Sequence, residues 1–192
     1  MALEKVVLEG RFVRLEPLQE RHRELVRPAA QHPEIFAVTT SAFGPLFDPY
    51  IDNALQRTAA GSELAFVVLH KAEARPVGMT RYLNIEEAHR RLEIGSTWYE
   101  PSVWAGIVNP ECKLLLLQHA FERLKFNRVE FKTDLRNTRS QSAIRKLGAM
   151  QEGVLRKHMI VADGYVRDSV LFSIVDEDWP AVRQGLEKRL SA

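Results

Sequence analysis

Residues 92 to 134 read strand, long helix, strand, and no other feature of the chain narrows the possible folds as much. Leu92 to Trp98 opens the unit as a strand. The helix runs from Pro110 to about Lys125, with Leu114, Leu117, Phe121 and Leu124 on one face and Leu116 and Ala120 widening it. Asn109 suits the N-cap and Pro110 the first helical position. Arg128 to Asp134 then alternates polar and apolar residues with period two, as a strand does. Two strands joined through a helix form a crossover inside a mixed sheet, and this one sits near the middle of the chain.

Further elements extend the unit on both sides. Phe12 to Leu15, Glu63 to Leu69 and Pro76 to Leu83 read as strands, and Asn84 to Arg91 as the hairpin connection back to Leu92. Gly153 to Val161 and Tyr165 to Val175 flank Asp163-Gly164, a tight-turn signal. Helices are expected at Gln19 to Ala30, Tyr50 to Ala60, Thr138 to Leu147 and Glu177 to Leu190. Asn137 would cap the third of these and Gly148 would stop it in the left-handed conformation. The expected architecture is a single α/β domain (an α+β mixed sheet) spanning residues 1–192.

Composition limits what such a domain can do. Lys and Arg number 27 against 25 Asp and Glu, a net charge of +2, which disfavours a dedicated nucleic-acid binder. The single cysteine excludes a disulfide framework and multi-cysteine metal sites, and it suits a reducing, cytoplasmic location. No metal-ligand spacing stands out. Apolar runs such as Leu114 to Leu117 fall far short of the roughly 18 residues that a membrane span needs. The first residues also lack the basic-then-apolar pattern of a signal peptide. No membrane partner is expected.

Two segments could carry chemistry. Pro101 to Lys113 feeds a helix N-terminus, where free backbone N–H groups and the positive helix dipole together attract anions such as phosphate. An ordinary strand–helix connection capped by Asn109 explains the same residues. Glu111 in the first turn also supplies a charge that complements the dipole. Asp134 to Ala149 is read as a capped helix in which Ala143, Ile144 and Leu147 pack and Ser140 satisfies a backbone donor.

Taken in tandem, these segments resemble the GNAT N-acetyltransferase superfamily, in its ribosomal-protein-alanine acetyltransferase (RimJ/RimL-like) branch. The resemblance runs from residues 8–22 through 92–149 to the segments at 152–158 and 176–180. Its signal is a strand, a phosphate-type loop and a long helix, followed by a strand leading into Asn137-x-x-Ser140 and a Lys146-Leu147-Gly148 helix end. The resemblance implies that acetyl-CoA, as co-substrate and without a metal, lies where two parallel strands, Leu92 to Trp98 and Arg128 to Asp134, splay apart. It implies that the pantetheine arm pairs with backbone near Trp98 and Tyr99. The pyrophosphate would rest on the amides of Ala105, Gly106, Ile107, Val108 and Asn109, and Trp104 reads either as packing against the cofactor or as filling core. Asn137 and Ser140 would border the thioester, while Lys146 and Lys113 would reach phosphate groups.

The chain departs from the family pattern at two points. Ile107 stands where most members have the second glycine of the loop, and Ile144 where many have the tyrosine that protonates the leaving thiolate. Ser140 is then the nearest polar candidate for that acid. Acetyl transfer to an amine also needs a proton acceptor, for which Glu93 ranks first, with Asp134, Asp168 and His158 behind it. A plain strand residue paired with an arginine explains Glu93 equally well. Cys112, in the first helical turn, lacks a partnered histidine, and His119 reads as packing or solvent-facing. The clusters at residues 21–23, 89–91 and 156–158 read as solvated faces. The expected activity is transfer from acetyl-CoA to a primary amine, either a protein N-terminus or a small molecule. A non-catalytic acyl-CoA-binding module is the alternative, an RNA-associated protein ranks third, and a homodimer remains open. The loop from Ile35 to Tyr50, with Phe36, Phe43 and Phe47, reads as an amine-pocket wall or as a packed cover over the sheet.

Overall fold

Eight strands form one sheet in the order β1-β2-β3-β4-β5-β6-β8-β7. The computed structural model describes residues 3–37, 44–161 and 164–191. The strands are β1 (Leu8–Glu9), β2 (Val13–Pro17), β3 (Leu64–His70), β4 (Arg75–Glu86), β5 (Arg91–Tyr99), β6 (Arg128–Asp134), β7 (Met150–Ile160) and β8 (Val166–Val175). Every neighbouring pair is antiparallel except β5 and β6, the two strands joined by the crossover. The helices are α1 (Arg23–Val26), α2 (Phe47–Ala59), α3 (Val108–Gln118), α4 (Thr138–Arg145) and α5 (Trp179–Ser191). Among the described residues, no helix is long and apolar enough to cross a membrane.

β3 shows why its sequence is almost wholly apolar. Leu64, Phe66 and Val68 enter the core that includes Leu116 and Leu117 of α3, while Ala65 and Val67 enter a second core with Phe47 and Ile51 of α2. Helices cover both faces of this half of the sheet, so both side-chain sets are buried. In the β6–β8 half the two faces differ in chemistry, although residues on both are buried. Val129 and Phe131 of β6 and Val170 and Phe172 of β8 pack into the α3 core. Glu130, Lys132 and Asp134 carry charge on the other side of the same strand.

Local chemistry moves three expected boundaries. The helix expected over residues 19–30 is broken into 3₁₀ turns around α1, because the His22 imidazole takes the Gln19 amide (3.0 Å) and Pro28 has no amide to continue the helix. α3 begins at Val108, so Asn109 lies inside its first turn and is not the N-cap. After Gln118 the same helix widens into a π-turn over His119–Arg123. There the Tyr82 hydroxyl donates to the Leu116 carbonyl (2.7 Å) and meets His119 Nδ1 (3.2 Å), drawing on a carbonyl of the helix ladder. On this helix Leu116 is sealed while Leu114 and Leu124 are only partly covered. Asn137 does cap α4, its Oδ1 accepting from the Ser140 amide (2.9 Å), and Gly148 follows the helix at φ 96°.

Candidate active site

β5 and β6 pair only through Arg91↔Arg128, Leu92↔Val129 and Glu93↔Glu130, and then separate. The cause lies on the other edge of β5. Its register against β4 jumps between Met79↔Trp98 and Arg81↔Gly95, a bulge in which Ser96 adopts φ 46°. β4 makes room for it at Gly78, where a Cβ would lie 2.1 Å from the Trp98 carbonyl oxygen. β6 stays paired with β8 through Asp134↔Ser169. Between the parted strands both facing backbone edges lack a strand partner. A cavity of about 590 Å³ opens there, lined from β5, β6, α3 and α4.

At one end of the slot lies the turn before α3. Ala105 holds a left-handed φ of 59°, and among the described residues the amides of Ala105 to Asn109 have no backbone acceptor. The Glu111 carboxylate does not offset them. It is buried and accepts the amides of Arg11, Phe12 and Val13 at 2.8, 2.7 and 2.6 Å. The helix N-terminus therefore keeps its positive end for an anion. Trp104, Ala105 and Asn109 line the cavity, whereas Gly106, Ile107 and Val108 do not. Gly106 is not sterically required, since a Cβ there would meet only the Val103 carbonyl oxygen at 3.4 Å.

Asn137 and Ser140 line the slot, while Lys146 is absent from the lining. Lys146 is exposed past the end of α4, where its carbonyl accepts from Arg189. Arg139, a residue the sequence reading passed over, lines the slot and stacks 3.7 Å over the Trp104 ring. Glu93 is buried where the strands part. Its Oε2 accepts from Lys132 Nζ and from Asn84 Nδ2, both at 2.8 Å, so its partner is a lysine and not an arginine. Its Oε1 lies beside Gly95, 3.1 Å from where a Cβ would stand. Asp134 is claimed by Arg136, and the Asp168 carboxylate by the Lys157 amide. His158 lines the slot with Nδ1 3.0 Å from Ser169 Oγ. Burial pushes the Cys112 thiol up to about 12, which removes it as a nucleophile.

The loop expected as either wall or cover divides between the two. Ile35 and Tyr50 line the slot, Phe36 and Phe47 are packed in the α2 core, and Phe43 lies outside the described residues, as does Asp163 of the expected turn. Tyr50 accepts from Trp98 Nε1 (3.2 Å), which ties the start of α2 to the bulged strand.

A splayed parallel pair, a bulge and an uncapped helix N-terminus together match a known arrangement. The family described as "Acetyltransferase (GNAT) domain" matches residues 13–150. The chain belongs to the GNAT acetyltransferase family. A GNAT domain draws on acetyl-CoA as its acyl donor. A crystal structure of a GCN5-related N-acetyltransferase from Brucella melitensis is 30% identical, with a TM-score of 0.89 over 99% of this chain and 87% of that one. RimJ from Mycobacterium smegmatis, solved in complex with CoA-disulfide, shares the fold at 20% identity, with a TM-score of 0.81 over 96% of this chain and 94% of that one. From Bacillus subtilis (strain 168), a protein named "Putative ribosomal N-acetyltransferase YdaF" is 29% identical over 102 residues, 53% of this chain and 55% of that protein. The match thus spans about half of that relative's length, and its name supports the RimJ/RimL-like branch.

Within this GNAT domain, Lys113 is the least expected feature. Its ammonium does not reach toward the loop. It rises from α3 into the gap between the strands, where Nζ lies 3.0 Å from Thr97 Oγ1, itself 2.8 Å from Thr80 Oγ1. Phe131 packs beside it, with the ring centroid 5.8 Å from Nζ. Burial pulls the pKa of this lysine from 10.5 down to about 8. Between those values the unfolded chain holds a proton that the folded chain has released, so stability from this group rises with pH across that window. Below pH 8 the penalty is complete, about 3 kcal/mol. Lys113→Met should therefore raise Tm at pH 7 by on the order of 5–10 °C, with the gain shrinking as the pH climbs toward 10. A variant less stable than the native protein at pH 7 would show that the ammonium contributes net stability.

Proposed function

We propose that this protein transfers the acetyl group of acetyl-CoA to a primary amine, on a protein N-terminus or a small molecule, by direct attack. The observation that carries the reading is the slot itself, which joins anion-binding amides at one end to a buried carboxylate, Glu93, where the strands part. Acetyl-CoA supplies the activated thioester. The chain's residues then act on protons and position. The neutral amine nitrogen forms a bond to the thioester carbon, the carbon–sulfur bond breaks, and its electron pair goes to sulfur. Glu93 takes the surplus proton from nitrogen through its unanchored Oε1, directly or through a water. Ser140 Oγ and the Lys113 ammonium are the groups assigned to return a proton to the thiolate. Amide groups exposed by the bulge at Ser96 suit the developing oxyanion. Trp98, Tyr99, Trp104 and Asn137 hold the donor, with Ala105 to Asn109 on its pyrophosphate and Arg139 in the phosphate role first given to Lys146.

The acyl-CoA-binding alternative keeps two observations in its favour: Glu93 is held by two donors, and Ile144 replaces the tyrosine acid. Turnover separates the two readings. CoA at about 100 times its Kd should add about 2.7 kcal/mol and raise Tm by roughly 5–10 °C, and acetylated product should accumulate with a suitable amine. A melting curve unmoved by millimolar CoA would defeat both readings. A shift without product from any amine in a broad panel would leave the binding module.

A further inference from the structure

Lining the slot is a cation with no ion-pair partner among the described residues. Arg167 stands on β8, opposite Met159 of β7, and lines the same cavity. Its side chain is nine-tenths buried at 9% exposure, and its Nε has no hydrogen-bond partner. Among the described residues, no carboxylate lies within ion-pairing distance of it. Two acids, Asp134 and Glu93, are near enough to feel its charge, yet each is already held elsewhere. Asp134 takes the Arg136 amide and guanidinium at 2.8–3.1 Å, and Glu93 takes Lys132 and Asn84. Leaving a guanidinium buried and unpaired is expensive, and its planar fork is shaped for a carboxylate. Arg139, the other arginine in the slot, stands against Trp104 beside the loop that would take phosphate. Arg167 shares its face of β8 with Ser169 and Ser173, opposite the apolar side that packs on α3, and it lines the slot on that side.

We infer that Arg167 binds a carboxylate on the acceptor, so that the preferred substrate is a primary amine that also bears a carboxylate. This inference rests on the acetyl-transfer reading and narrows it. Two sources share the chemistry: the α-carboxylate of a free amino acid, and an acidic side chain near a protein N-terminus. His158, Asp134 and Lys132 face the same space, and the two lysine- and arginine-held acids leave the pocket net positive toward an incoming anion.

The test is a matched panel with CoA present: free amino acids against their carboxamides, and short peptides with Asp or Glu in the first three positions against the Asn or Gln forms. Binding is read by calorimetry and transfer by product formation. The native protein should favour the carboxylate member about 10–100-fold in at least one series, and the favoured series identifies the source. Arg167→Gln should collapse that preference to within about threefold, and Arg167→Lys should keep part of it. Melting of the ligand-free protein guards against a structural explanation: removing an unpaired buried charge should leave Tm equal or higher, whereas a large fall would assign Arg167 to the fold and overturn the inference. Equal affinity for carboxylates and carboxamides in the native protein would also overturn it, while leaving acetyl transfer intact. Arg167-dependent carboxylate binding with no transfer to any amine would retain the site and remove the transferase.

Discussion

Glu111→Ala should destabilise the protein by about 3–5 kcal/mol and lower Tm by roughly 10 °C or more. The carboxylate is buried and holds three successive amides of the turn between β1 and β2, at Arg11, Phe12 and Val13. Its removal leaves those donors without an acceptor, and hydrogen bonds to a charged group are worth about 1.5–3 kcal/mol each. Gly10 is part of the same fit, since a Cβ there would sit 2.5 Å from the Glu111 carboxyl carbon. Glu111→Gln should lie between native and alanine, because one carboxamide oxygen can still serve Phe12 and Val13 while its NH₂ opposes Arg11. Amide hydrogen exchange gives a local check. Phe12 and Val13 should be protected in the native protein and exchange faster in both variants. A Tm within about 2 °C of native for Glu111→Ala would mean that water replaces the carboxylate at little expense.

That latch also marks the limit of what the sequence discloses. The strand–helix–strand unit, the capped α4 and the Gly148 stop were legible because period, cap chemistry and the glycine conformation are local properties. Glu111 and the β1–β2 turn are about a hundred positions apart, and nothing in the spacing of either announces the other. Reading Glu111 as a partner for its own helix dipole was reasonable locally and wrong in three dimensions. The start of α3 failed in a similar way. Asn109-Pro110 has the composition of a cap and first turn, yet the helix gains two earlier residues because the turn at Ala105 already points the chain along its axis.

Site residues divide by the same rule. Glu93, Asn137 and Ser140 could be named from the motif, and the slot contains all three. Arg139 sits in the first turn of α4 and Lys146 just past its end, so choosing between them required the helix orientation. Arg167 carries no local signal at all. It is one polar residue in a strand, and its significance comes from the absence of a partner on β6, β7 and β8 together. The family resemblance implies a phosphate contact for Lys113, which the sequence cannot test. The rotation of α3 sends Lys113 inward, between strands that have parted.

Glu93→Gln should reduce kcat by about 10²–10⁴-fold, the usual worth of general-base assistance, while the Kd for CoA stays within about twofold. Gln keeps the shape and can still meet Lys132 through its carbonyl oxygen, so the fold and the Asn84 neighbourhood should survive, and melting within a few degrees of native would confirm that. What the substitution removes is the proton-accepting oxygen that lies free beside Gly95. The acceptor offers a second, sharper readout. An alkyl amine reaches neutral pH mostly protonated, whereas hydroxylamine or an aniline arrives neutral and asks less of a base. The loss from Glu93→Gln should therefore shrink markedly with the weakly basic amines, a pattern that a merely structural role would not produce. Ser140→Ala should reduce kcat only about tenfold, because water or the Lys113 ammonium can protonate a thiolate whose ordinary pKa is about 8.5. The double variant should lose less than the product of the two single losses, as groups acting on one transition state do. If both substitutions leave turnover within a few-fold of native for every amine, the slot accelerates transfer by holding the reactants together, and neither side chain moves a proton in the step that limits the rate.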